Sequence, residues 1–97
     1  MSYRDYPQAA RAKAKSAIER NAKRGNRCAT QVGKVRAQQL AQGKPLSLET
    51  VKRTYSYLSR GKAYGDPANR NTCGSISYDL WGGDPMLRYT KKKLGKF

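Results

Sequence analysis

Ninety-seven residues give room for one domain with a small core and no second catalytic unit. Lys and Arg number 21 against six Asp and Glu, a net charge of +15, while Leu, Ile, Val and Phe together supply only 13 residues. The absence of histidine excludes a His-based triad, metal site or proton shuttle, and the absence of any long apolar run excludes a membrane span or signal-peptide core.

Few aliphatics beside so much charge is ordinarily the composition of a disordered chain. Two features point to a fold instead. Eleven alanines favour helix, and seven tyrosines with one tryptophan supply bulk for a core. The expected fold is all-α, one helical domain over residues 1–97: a small bundle of four to five helices with a central αα-hairpin. It is a marginal fold, steadier beside a polyanion.

The first predicted helix runs from Tyr6 to Arg24. Asp5 is placed to cap it, Pro7 suits its first turn and Gly25 its end. Ala10, Ala14, Ala17, Ile18 and Ala22 form a narrow inward stripe, and Arg11, Lys13, Lys15, Arg20, Lys23 and Arg24 lie opposite. With nothing but small residues behind them, these cations are poorly placed for internal salt bridges.

Residues 30–60 read as the helical hairpin. Its first arm, Thr30 to Gln42, turns Val32, Val35 and Leu40 inward, is weakened by Gly33 and closes at Gly43. Ser47 caps the second arm, in which Leu48, Val51, Tyr55 and Leu58 recur at helical spacing. Lys52, Arg53 and Arg60 lie on its other side. Residues 61–75 form a loop, longer than most helix–helix connections. Residues 76–97 hold a short helix with Ile76, Leu80 and Trp81 buried, a Gly82-Gly83 turn and a basic last helix. Asp84 is expected to cap that helix, with Pro85 in its first position and Leu87, Thr90, Leu94 and Phe97 along one face. No stretch has convincing strand period.

The charge falls in blocks: +6 over residues 1–30, +6 over 31–62, −2 over 63–87 and +5 over 88–97. Self-repulsion at this density opposes compactness, so a chain that tolerates it is matched to a polyanion. Phosphate neutralisation with counterion release is the simplest use for it. The candidate contacts are the cations of the first helix, then Arg27, Lys34, Arg36 and Lys44, then Lys52, Arg53, Arg60 and Lys62, and finally Lys91, Lys92 and Lys93.

Three motifs bear on chemistry. Arg36 to Gly43 followed by Leu46 to Arg53 has the order of parts of a DNA-reading helix-turn-helix, but the turn is longer than that unit uses. A plain helical hairpin is the better reading. Leu80-Trp81-Gly82-Gly83-Asp84-Pro85 reads as a structural anchor, a tight turn and a helix start rather than a recognition loop. Cys28 and Cys73 have no CxxC partner that would spell out zinc. They are expected as reduced thiols, with a disulfide as the alternative in an oxidising compartment. Cys28 lies in a basic stretch, yet no base accompanies it, so the chain is not expected to be an enzyme and needs no metal or cofactor.

The opening Ala- and Arg-rich helix, the block Gln39-Leu40-Ala41 … Gly43 … Leu46-Ser47 … Glu49-Thr50-Val51-Lys52-Arg53 and the string Leu80-Trp81-Gly82-Gly83-Asp84 together resemble a small helical module encoded by tailed bacteriophages, found alone or beside head-morphogenesis proteins. The resemblance spans nearly the whole chain, and the Leu-Trp-Gly-Gly-Asp string is its specific part. Where such modules are more apolar before that string, this chain has Ser75-Ile76-Ser77-Tyr78-Asp79. The resemblance implies a phage context and no transferable activity.

The composition thus leads to a small nucleic-acid-binding protein, DNA ahead of RNA, gripping phosphates without strong sequence specificity. Its expected location is the host cytoplasm or the virion, away from membranes. The alternative is a virion structural or auxiliary protein whose basic face meets packaged genome or an acidic capsid or portal surface, with phage structural proteins as partners.

Overall fold

The computed structural model describes residues 2–61 and 72–95. Five helices pack into a small all-α bundle: α1 (Gln8–Lys23), α2 (Gln31–Ala41), α3 (Leu48–Gly61), α4 (Cys73–Leu80) and α5 (Gly83–Lys93). Two short strands, β1 (Ser2–Tyr3) and β2 (Leu46–Ser47), pair antiparallel with Ser2 opposite Ser47 and Tyr3 opposite Leu46. That pairing was not foreseen, because two residues are too few to show a period. Residues 62–71 of the loop expected over residues 61–75, with Lys62, lie outside the described residues, as does Phe97; Gly61 ends α3, and Cys73 to Ser75 are helical rather than loop because Thr72 caps α4.

Local chemistry explains where the helices begin. The Thr30 hydroxyl accepts the Gly33 N–H (3.2 Å) ahead of α2, and Ser47 accepts the Thr50 N–H (3.1 Å) ahead of α3. Thr72 accepts the Ser75 N–H (3.3 Å) ahead of α4. Each satisfies an otherwise orphaned donor, typically worth about 1 kcal/mol. The other two starts differ from expectation. Pro7 stands at the N-cap of α1 with no side-chain bond, and Gly82 stands at the N-cap of α5, leaving Asp84 in its first turn. Asp84 instead accepts the Tyr78 hydroxyl at 2.5 Å.

Asp5 is freed from capping to join the two ends of the described chain. Its carboxylate accepts the Tyr89 hydroxyl (2.6 Å) and the Lys93 ammonium (2.9 Å). The Tyr89 hydrogen bond first, and the Lys93 bond second, hold the Asp5 carboxyl below its ordinary range. A carboxyl depressed in the folded state contributes stability above its unfolded value, and that contribution disappears as pH falls through the folded value. Asp5→Asn is therefore expected to lower the thermal midpoint at pH 7 and to flatten its decline below about pH 4. Thermal melts of both proteins from neutral to acid pH check this.

α1 lies against α2, α4 and α5, whereas α3 packs chiefly on α5. The inward stripe of α1 is Ala10, Ala14, Ala17 and Asn21, with Ile18 half-buried and Ala22 exposed. Small side chains let neighbouring backbones approach closely. Asn21 turns inward because its side-chain carbonyl accepts the Cys28 N–H at 3.0 Å, folding the chain back after α1. That turn sets Cys28 4.8 Å (Cα to Cα) from Cys73, and the two form a disulfide. The expectation of two reduced thiols is corrected here, and neither sulfur is left as a nucleophile.

Trp81 organises the other half of the core. It follows α4, is buried, and stacks on Tyr57 of α3 with centroids 4.3 Å apart and planes 15° from parallel. The Tyr57 hydroxyl in turn bonds Ser77 of α4. On the α2 side, a Cβ at Gly33 would lie 3.3 Å from the indole nitrogen, so the missing side chain admits the ring. The hairpin of α2 and α3 is consequently open, with Trp81 seated between its arms.

This wedge fixes which way α2 faces. Gly33, Arg36, Ala37 and Leu40 turn inward, leaving Val32 and Val35 52 % and 46 % exposed, the reverse of the expected facing for both valines. In α3, Val51, Thr54 and Leu58 are buried and Leu48 is exposed. Gly82 carries φ +104°, and a Cβ there would sit 2.4 Å from that of Met86. A side chain at this turn would collide with the first turn of α5.

Candidate nucleic-acid interface

The cations predicted to contact phosphate separate into three groups in the structure. Some are committed internally. Arg20 pairs with Asp79 at 2.7 Å, and that carboxylate is only 1 % exposed. The expectation that α1 cations lack internal partners fails for Arg20, whose acid lies 59 positions away. Arg36 is 7 % exposed, its guanidinium 5.4 Å from the centre of the Trp81 ring, and it donates to the Gln39 side chain. Burial first, and the Arg53 charge second, pull Arg36 below the ordinary arginine value. Neither residue is placed as a free phosphate contact.

A second group is held at the surface by neighbours. Arg53 pairs with Glu49 (2.9 Å), one turn away, and Lys93 pairs with Asp5. Arg60 donates to the Ser56 hydroxyl at 2.6 Å. Arg11 leans over Gly43, whose absent Cβ would stand 3.0 Å from the guanidinium carbon. Lys34 is half-buried beside Ile18 and Gln38.

The remaining described candidates are accessible: Lys13 is half-buried, and Lys15, Lys23, Arg24, Arg27, Lys44, Lys52, Lys91 and Lys92 are exposed. Among the described residues none of these has an acidic partner within 4.0 Å. They do not form one face, and Glu19 interrupts the outer side of α1 between Lys15 and Lys23.

The side of α1 that lies beside α4 and α5 supplies a shaped surface. One shallow depression is lined by Ala9, Ala12, Lys13, Ser16, Arg20 and Asp79, and another by Pro7, Ala9, Pro85, Arg88, Tyr89 and Lys92; they meet at Ala9. Together they form a shallow trough along α1, with Lys13 lining its first part and Arg88 and Lys92 its second. The Lys13 stem lies against Gly83, and Asp79 at the floor is neutralised by Arg20.

Arg88 was not selected from the sequence. Its spacing of four from Lys92, the separation that places two side chains on one helix face, was the signal available. The trough could not be read locally, because Ala9, Ala12 and Ser16 become part of it only once α4 and α5 lie beside α1. Among the described residues no three His, Cys, Asp or Glu converge as a metal site, and no helix is long and apolar enough to cross a membrane. Comparison with protein-family models, curated proteins and solved structures finds no match for this chain.

Proposed function

We propose that this chain is a small basic nucleic-acid-binding protein that seats a sugar–phosphate backbone in the trough along α1, DNA ahead of RNA, without strong sequence specificity. The observation that carries the reading is the pair of depressions meeting at Ala9: Lys13 lines one beside Ala12 and Ser16, Arg88 and Lys92 line the other, and the small side chains let a backbone approach. The trough is lined by no Asn or Gln that would read adenine, and its one exposed arginine, Arg88, is a single cation beside Lys92, suited to phosphates, so all sequences are expected to bind alike. The Leu80-Trp81-Gly82-Gly83-Asp84 string supports a phage origin through the resemblance alone.

Salt titration tests the proposal. Each phosphate neutralised on duplex DNA contributes about −0.9 to the slope of log K against log salt. Replacing Lys13, Arg88 and Lys92 together by Gln is expected to flatten that slope by up to about 2.7 and to weaken every sequence equally. Replacing Lys15 and Lys23 is expected to change it less. No measurable affinity of the native protein for DNA or RNA at about 0.1 M salt overturns the reading and favours the virion structural role.

A further inference from the structure

The α2 surface poses a problem that the trough does not address. Arg36 is nine-tenths buried, yet no carboxylate among the described residues pairs with it. Asp79 serves Arg20, Glu49 serves Arg53, Asp5 serves Tyr89 and Lys93, and Asp84 serves Tyr78. A neutral amide, Gln39, stands at the Arg36 Nη1 where a carboxylate would be expected, and Nε is buried with no partner. The Trp81 ring returns only part of what desolvating a guanidinium costs.

Alongside this cation the helix displays apolar surface. Val32 precedes Arg36 by four residues and Val35 precedes Gln39 by four, so both valines lie beside the Arg36–Gln39 pair on α2. They are about half exposed in a chain with only three valines. Arg53 of α3 lies close enough for its charge to bear on Arg36.

The geometry points to α2 as a docking face for an acidic protein segment, whose carboxylate reaches Arg36 at Gln39 and whose apolar side chains cover Val32 and Val35. A second copy of this chain is a poor occupant, because two bodies of net charge +15 repel. A nucleic acid would leave the valines uncovered. This inference is independent of the trough, and the two surfaces can be tested separately.

The test uses the native protein with two labelled twelve-residue peptides, one alternating Glu and Leu and one alternating Glu and Ser, and a short duplex DNA. On adding the Glu-Leu peptide, the Arg36 Nε–Hε resonance and the Val32, Val35 and Arg53 amides are expected to shift. The Glu-Ser peptide is expected to bind about tenfold more weakly, and DNA to leave the Arg36 resonance in place. Gln39→Glu supplies the missing carboxylate within the chain. It is expected to raise the thermal midpoint and weaken Glu-Leu binding at least about tenfold, with DNA affinity unchanged. Val35→Glu, at an exposed position and safe for folding, is expected to weaken the peptide similarly. An Arg36 Nε signal unmoved by the Glu-Leu peptide, or equal peptide affinity in native protein and Gln39→Glu, overturns the inference. Neither result bears on DNA binding, which the same titration reads independently.

Discussion

Breaking the Cys28–Cys73 disulfide is expected to lower the unfolding free energy by about 4 kcal/mol, the chain-entropy value for a cross-link spanning some 45 residues. A domain of this length has only about 5–15 kcal/mol in total, so the loss is a large share of its stability. The aliphatic core is small, and the cross-link ties the turn after α1 to the start of α4. Cys28→Ser with Cys73→Ser, compared with native protein in urea under oxidising conditions, measures the effect. Reductant should bring the native protein to the same midpoint as the double variant. Coincident curves for oxidised native protein and double variant would show that the pair does not hold the fold. A stabilising disulfide also bears on compartment, since such bonds persist where reducing systems do not reach them. Assembly in the reducing cytoplasm, one of the two expected locations, would proceed without this bond.

Trp81→Ala is expected to cost about 3–5 kcal/mol. The ring is 6 % exposed, and removing it opens the space between α2 and α3 that Gly33 leaves for it. Tyr57 loses its stacking partner and Arg36 the ring beneath its charge. Both losses add to the cavity. If the tryptophan instead served a ligand, the variant would melt like native protein and fail to bind. A calorimetric melt and a DNA titration on one preparation distinguish these outcomes, and the structural role predicts the loss in the melt.

The parts legible in the sequence were those decided by near neighbours. Thr30 and Ser47 each meet a backbone N–H three residues on, so both hairpin arms began where expected. Gly82 and Gly83 broke the chain as expected, and Trp81 proved to be the anchor. What failed depended on distant partners. The facing of α2 was inferred from its valines, but Gly33 and Trp81, 48 positions apart, decide it. The same limit hid the Arg20–Asp79 pair, the disulfide and the use of Asp5, each joining residues more than 40 positions apart. For the candidate site, composition gave the sign of the charge and most of the cations. Their division into committed and available groups required the fold.

The contacts of Asp5 with Tyr89 and Lys93 have a mechanical meaning. They hold the segment just before α1 against α5, so a pulling force applied at residues 5 and 93 would load this polar clasp before any helix interface. The clasp would peel open bond by bond instead of shearing, and the bundle would yield early under tension.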